Sequence, residues 1–229
     1  MMNPERFEPK FEMARKAQAE EEKEDLESHE DPKRFLEFEA LTQPSDDIKK
    51  LAERFRSGGE LQRIENILSF LGEGKNLNHV NLERENPKEW KKLFNKRTAE
   101  EIFESKTSYG CTDTATLFLS MARECGIPAK FIEGKRLGKS GTHSWAQVFV
   151  EEKWIEVDPT QGSKGMEFKP EESRHGPYKI ISESLGPSDS LISSYKDWKK
   201  IEKMWDYKKN VFKKEFEKVQ REIGEKENR

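Results

Sequence analysis

Cysteine is scarce in this chain: among 229 residues only Cys111 and Cys125 occur. Two thiols do not make the disulfide framework that staples small secreted domains. On one helix the pair would lie roughly 21 Å apart along the axis, beyond disulfide reach. Reduced thiols fit a reducing compartment, so a cytoplasmic location is expected. Long apolar runs are also missing, and none approaches the roughly 18 residues of a membrane span. The opening Met1-Met2-Asn3-Pro4-Glu5-Arg6 has no apolar stretch of the kind that starts a secretory signal. Charge of one sign is not in excess. A formal net charge of -3 and a pI near 6.0 give no field favouring nucleic acid or an anionic membrane. Of the four histidines, His29, His79 and His175 stand in polar surroundings without metal-ligand spacing. They read as surface residues, and neither a metal nor a cofactor is expected. Nothing in the sequence fixes an oligomeric state.

Hydrophobic residues make up 32% and charged residues 38%, so the apolar positions must be concentrated to build a core. Most lie between Leu61 and Ile181. Residues 1–44 read as a charged arm, helical or partly disordered, with an Ala/Glu/Lys-rich stretch from Glu12 to Glu27. Pro44-Ser45-Asp46 marks a helix start, and Ile48, Leu51, Ala52 and Phe55 follow at helical spacing. Leu61, Ile64, Ile67, Leu68 and Leu71 predict a second helix. Pro87 opens a short one through Trp90, Leu93 and Phe94, and Thr98 with Glu101 forms a capping box for another. From Thr112 to Cys125 nearly every turn is apolar, as in a buried central helix; Gly126 suits its cap and Pro128 stops it. Cys125, at the end of that helix, reads as core. Strands are expected at Ala129–Ile132, His143–Val150, Trp154–Asp158 and Tyr178–Ile181, with loops over 133–142 and 162–177. Helices first and antiparallel strands after give an α+β class. A core domain over 45–190 and an amphipathic C-terminal helix over 191–229 complete the organisation. The stripe Trp198, Ile201, Trp205, Phe212, Phe216, Val219 and Ile223 on that helix reads as intramolecular packing.

The chemistry is concentrated in Cys111, His143 and Asp158. A free thiol near pKa 8.5 is only a few per cent ionised at neutral pH. A helix N-terminus contributes about 0.3–1 kcal/mol toward the thiolate, less than one pKa unit. A protonated imidazole beside the sulfur is the larger influence, so Cys111 requires His143, with Asp158 to orient the ring. If Glu151-Glu152 is a two-residue hairpin loop, Trp145 faces Asp158 and His143 faces Thr160. Alternation then puts His143, Trp145 and Asp158 on one sheet face. The backbone N–H groups of Cys111 and Thr112 can stabilise an oxyanion, with Asn76, Asn78 or Tyr109 as candidates for a second donor. Trp145 either lines an acyl pocket or packs beneath the hairpin. Asp113 reads as a dipole or capping residue rather than a catalytic acid.

Gly110-Cys111-Thr112-Asp113-Thr114-Ala115, with Leu119, Ala122-Arg123 and Gly126-Ile127-Pro128-Ala129, resembles the nucleophile helix of transglutaminase-like proteins. His143-Ser144-Trp145-Ala146-Gln147-Val148 is similar to their histidine strand, and Trp154-Ile155-Glu156-Val157-Asp158-Pro159-Thr160 to their aspartate strand. The resemblance covers about residues 98–160, with weaker helical similarity from Ser45. It implies a papain-like α+β fold, a nucleophile helix on an antiparallel sheet, Cys111 as nucleophile, His143 as acid/base and Asp158 as its orienter. One departure is Tyr109, where many members have Gly two residues before the cysteine. No acidic cluster with calcium-loop spacing accompanies the motifs. The function these residues point to is cysteine-dependent acyl transfer or hydrolysis at amide bonds of a protein, peptide or small amide. A non-catalytic interaction module of the same fold, docking through its helical tail, is the alternative.

Overall fold

The computed structural model describes residues 31–205, apart from residues 73, 75, 138, 174 and 176. The chain divides into two compact units, Met1–Arg34 and Phe35–Arg229. Of the first only residues 31–34 are described, where the Arg34 N–H closes a turn on the Asp31 carbonyl. Most of the charged arm, His29, and the stripe positions Phe212, Phe216, Val219 and Ile223 lie outside the described residues.

Capping chemistry starts the helices of the second unit. Helix α1 (Asp46–Glu53) begins where Ser45 accepts the Ile48 N–H, with Asp46 and Asp47 suited to the positive end of the dipole. Helix α2 (Glu60–Gly72) buries Ile64, Ile67, Leu68 and Leu71. A two-residue strand β1 (Asn78–His79) precedes α3 (Leu82–Glu85) and α4 (Pro87–Leu93), which Pro87 opens at its first turn. Helix α5 (Ala99–Ser105) carries the full capping box: Glu101 N–H to Thr98 Oγ1 at 3.1 Å and Thr98 N–H to Glu101 Oε2 at 2.9 Å. Strand β2 (Thr107–Ser108) pairs in parallel with β1, a ladder too short for any sequence period to announce.

Helix α6 (Cys111–Glu124) is the axis of the fold. Ala115, Leu117, Phe118, Leu119, Met121 and Ala122 are each at most 1% exposed, so the helix is enclosed on all sides. It packs on β3 (Ala129–Arg136) and β4 (Thr142–Val150) of a four-stranded antiparallel sheet, ordered β5-β4-β3-β6 with β5 (Lys153–Val157) and β6 (Tyr178–Ser184) at its edges. The β4–β5 pairing runs Val150↔Lys153 to Ala146↔Val157, the register expected from a Glu151-Glu152 loop. Both loop residues take positive φ, 50° and 62°, as a two-residue primed turn demands. A second apolar cluster of Ile132, Trp145, Phe168 and Tyr178 lies apart from the core that α6 joins. Gly134 is required there, because a Cβ at that position would overlap the Trp145 ring.

Two sequence-based loops contain regular structure in part. Strand β3 continues through Arg136 rather than ending at Ile132. Its polar residues are buried but matched: Lys135 pairs with Glu202 at 3.2 Å, and Glu133 accepts from Ile192 N–H at 3.2 Å. Residues 162–177 contain 3-10 turns at Pro159–Glu167 and Pro170–Glu172, and bury Phe168. The compact unit also reaches beyond 45–190. Arg123, buried on α6, donates to the carbonyls of Phe35, Ala129 and Leu185 and to Thr42 Oγ1. Residues 35–44 are thereby tied to the end of α6. Burial pushes the Arg123 pKa down to about 10, against the opposing pull of Glu39. At the other end, residues 195–205 are helical (α7), with Ile192 and Ile201 buried. Trp198 meets the rings of Trp90 and Phe94, the internal packing expected of the stripe.

Candidate active site

Cys111 is the first residue of α6, and the turn before it is held by a polar network. Gly110 brings no capping side chain, so the amides of the first helical turn are left without an intrahelical or side-chain partner. Ser108 Oγ hydrogen-bonds the Gly110 carbonyl and meets Thr114 Oγ1, each at 2.9 Å. Asp113 accepts the Tyr109 N–H at 2.9 Å and pairs with Arg97 at 2.7 Å, both side chains buried. Arg97 also donates to the Thr107 and Glu101 carbonyls and lies 4.4 Å from the Tyr109 ring centroid. Asp113 is thus an anchor of the nucleophile loop rather than a simple dipole partner. Burial raises its pKa, with Arg97 and the Tyr109 N–H opposing.

Pairing between β4 and β5 stops at Ala146↔Val157, so β4 runs on toward Thr142 without β5 beside it. There the Ser144 N–H donates to Cys111 Sγ at 3.4 Å. The imidazole of His143, the preceding residue, interacts electrostatically with the same thiol, and its Nε2 lies 2.9 Å from Asp158 Oδ2. The imidazole packs among Trp145, Phe168 and Tyr178, with ring centroids 5.4–6.0 Å away. Trp145 is fully buried and donates from Nε1 to Glu156, so it supports the ring from below. Asp158, 3% exposed at its side chain, receives three further bonds: Thr160 N–H at 3.0 Å, Thr160 Oγ1 at 2.6 Å and Gln161 Nε2 at 2.7 Å. The structure therefore brings Cys111, His143 and Asp158 into one chain of contacts.

The electrostatics follow from that packing. Burial disfavours each charged form, yet the neighbours prevail in all three. The His143 imidazolium holds the Cys111 thiol below its ordinary range, helped by the Ser144 N–H. The thiolate and Asp158 hold His143 well above its ordinary value. His143, Thr160 and Gln161 hold the Asp158 carboxyl below the usual carboxylate range. Both shifts favour a thiolate–imidazolium pair.

A cavity of about 250 Å³ opens on Cys111, walled by Trp90, Phe94, Tyr109 and Trp198. Tyr109 is the one of the three proposed second oxyanion donors that reaches it. The Asn76 amide is taken by the Phe70 carbonyl at 3.0 Å, and Asn78 lies exposed on β1. Several participants were not singled out from sequence: Arg97, Thr160 and Gln161, the Ser144 N–H, and Glu133. Glu133 is 2% exposed and lines the Cys111 cavity. Burial pushes its pKa up to about 8; Ser190, Ile192 N–H and Asn95 oppose the rise, and the nearby thiol adds to it. No local signal marked Glu133, which opens the polar run Glu133-Gly134-Lys135-Arg136. Cys125 is buried with its thiol on the Ala52 carbonyl, as its place at the end of α6 suggested. His79 and His175 are exposed. Among the described residues no group of three or more His, Cys, Asp and Glu is placed to hold a metal, and no helix is long and apolar enough to cross a membrane.

Residues 49–159 match the sequence profile of the Transglutaminase-like superfamily. Among solved structures, the chain is similar to a protein from Cytophaga hutchinsonii described as a candidate cysteine protease. The TM-score is 0.50 at 19% identity, over 68% of this chain and 47% of that one. The likeness is one of fold, and this chain spans about half of that structure's length. No curated protein matches.

Proposed function

We propose, for a chain whose residues 49–159 belong to the transglutaminase-like superfamily, that the α+β, papain-like core carries cysteine-dependent cleavage of amide bonds. Cys111 Sγ attacks the carbonyl carbon, and the carbonyl electron pair moves onto oxygen. The free amides at the start of α6 then face the developing oxyanion. His143 passes its proton to the departing amine as the C–N bond breaks, leaving a thioester on Cys111. In deacylation His143 takes a proton from water as the water oxygen bonds to the acyl carbon, the C–S bond breaks with the thiolate leaving, and a carboxylic acid is released. Asp158 keeps the ring oriented and favours its charged form. Transfer to an amine instead of water would follow the same steps with another nucleophile.

The observation that carries this reading is the contact chain Ser144 N–H to Cys111, Cys111 to His143, and His143 to Asp158 at 2.9 Å. A protein or peptide is the favoured substrate class, because the trio borders two cavities, one lined by Cys111 and the other by His143 and Asp158, rather than one closed pocket. The test is to incubate the chain with a peptide and amide library and measure the mass added at Cys111, with and without added amines. A thioester adduct that Cys111→Ala abolishes while the fold persists is the expected result. A Cys111 that reacts with iodoacetamide near pH 6 no faster than an ordinary thiol would leave the non-catalytic interaction module as the better reading.

A further inference from the structure

His143 and Asp158 form one wall of a second cavity, about 900 Å³ in volume, within the size range of ligand sites. Its other charged residues are mostly cationic: Arg136, Lys164 and Lys169 against Glu172. Lys169 and Glu172 approach to 3.4 Å, but both side chains are more than half exposed. Water screens such a pair and leaves much of the lysine's charge to act on a ligand. Lys164 has no ion-pair partner among the described residues. Arg136 supplies an independent sign. Its Nη2 donates to the Tyr178 hydroxyl at 3.4 Å, whereas its Nε–H is buried and meets no acceptor. A buried donor is seldom left unmatched, and a carboxylate accepts from a guanidinium in a geometry that satisfies it.

The cavity at Cys111 has the opposite character. Among its described lining residues there is no lysine or arginine; the carboxyls are Glu83, Asp113, which pairs with Arg97, and Glu133, whose pKa burial pushes up to about 8. The cavity lined by Cys111 therefore lacks the cations that gather in the cavity beside His143. In the reaction proposed above, His143 protonates the departing amine, so the amine-bearing segment lies on the ring's side of the sulfur.

Resting on that reading of the site, we propose that the cleft formed by Arg136, Lys164 and Lys169 beside His143 holds the amine-side segment of the substrate and selects an acidic peptide there. The same charges disfavour a lysine amine as the incoming nucleophile, which leaves water as the acceptor. The net charge of -3 makes the cationic field local to the cleft rather than a property of the whole surface.

The experiment measures binding of a fluorescein-labelled hexaglutamate peptide to the full chain by anisotropy. Hexaglutamine, hexalysine and a charge-matched oligothymidylate serve as comparisons. Hexaglutamate is expected to bind most tightly and to weaken as salt rises from about 50 to about 300 mM. Its affinity is expected to fall at least about tenfold in Lys164→Glu/Lys169→Glu, two exposed positions where the fold has little at stake. Equal binding of hexaglutamine, tighter binding of oligothymidylate, or an unchanged affinity in the double variant overturns the proposal. Iodoacetamide labelling of Cys111 at about pH 6, run in parallel, separates this from the parent reading. Fast labelling without acidic preference overturns the cleft assignment alone. Acidic preference with slow labelling overturns the amine-side role together with the chemistry it serves.

Discussion

Cys111 and His143 perturb each other in opposite directions, and that sets a testable pH dependence. The thiol sits below its ordinary range and the imidazole well above its own, so the ion pair exists between the two macroscopic steps. Alkylation of Cys111 by iodoacetamide should already be on its plateau below neutral pH. In His143→Ala the rise should move to or above the ordinary thiol range, because burial and Asp158 are then opposed only by the Ser144 N–H. At about pH 6 the variant should be slower by about 100-fold or more. Glu133 gives a second profile through stability. Its folded pKa of about 8 lies above the unfolded carboxyl value, so its contribution is fully present below about 4.5 and is lost as pH rises through about 8. Urea unfolding should therefore show Glu133→Gln gaining on the wild type steadily across that window and exceeding it above pH 8. The trio itself was legible because each member sits in a short local motif. Arg97 and Glu133 were not, because their partners lie 16 and 59 residues away in sequence and only the fold joins them.

Among the elements, the β4–β5 register was legible, since alternation and a two-residue loop leave one that puts Ala146, Val148 and Val157 in the core. The ladder nonetheless ends at Ala146↔Val157, before the expected Trp145–Asp158 and His143–Thr160 pairs, because Asp158 turns into a 3-10 helix. The loop chemistry is nonetheless poor: Glu151 and Glu152 both adopt positive φ. Replacing the pair with Asn-Gly should stabilise the chain by about 1 kcal/mol, read as an increase in the urea midpoint at unchanged slope. The second half of β3 was illegible for the converse reason. Glu133-Gly134-Lys135-Arg136 has the composition of a loop, and only pairing with Glu202, Asn95 and Ile192 makes its burial tolerable. The parallel β1–β2 pair is simply too short to leave a period in the sequence.

For the molecule as a whole, the ends of the compact unit were the hardest features to place. Residues 35–44 follow a charged stretch and were read with it, although only Glu37 and Glu39 among them are charged; Phe35 and Thr42 are buried and serve Arg123 at the end of α6. A chain beginning at residue 45 should melt about 5–10 °C below one beginning at residue 35 in a calorimetric scan. The estimate combines loss of Phe35 burial with unmatched Arg123 donors. The mixed helix and sheet class was readable from the order of elements. The reach of α7 into the aromatic wall at Cys111 was not, since nothing local in Trp198 or Tyr195 points to Trp90. The Ser144 amide has one more consequence. Ser144 follows His143 directly and grips the sulfur from the strand, so helix and sheet are pinned together at the reacting atoms. A tilt of α6 would carry the imidazole along with the sulfur, and the nucleophile stays aligned with its proton donor even while the surrounding walls breathe.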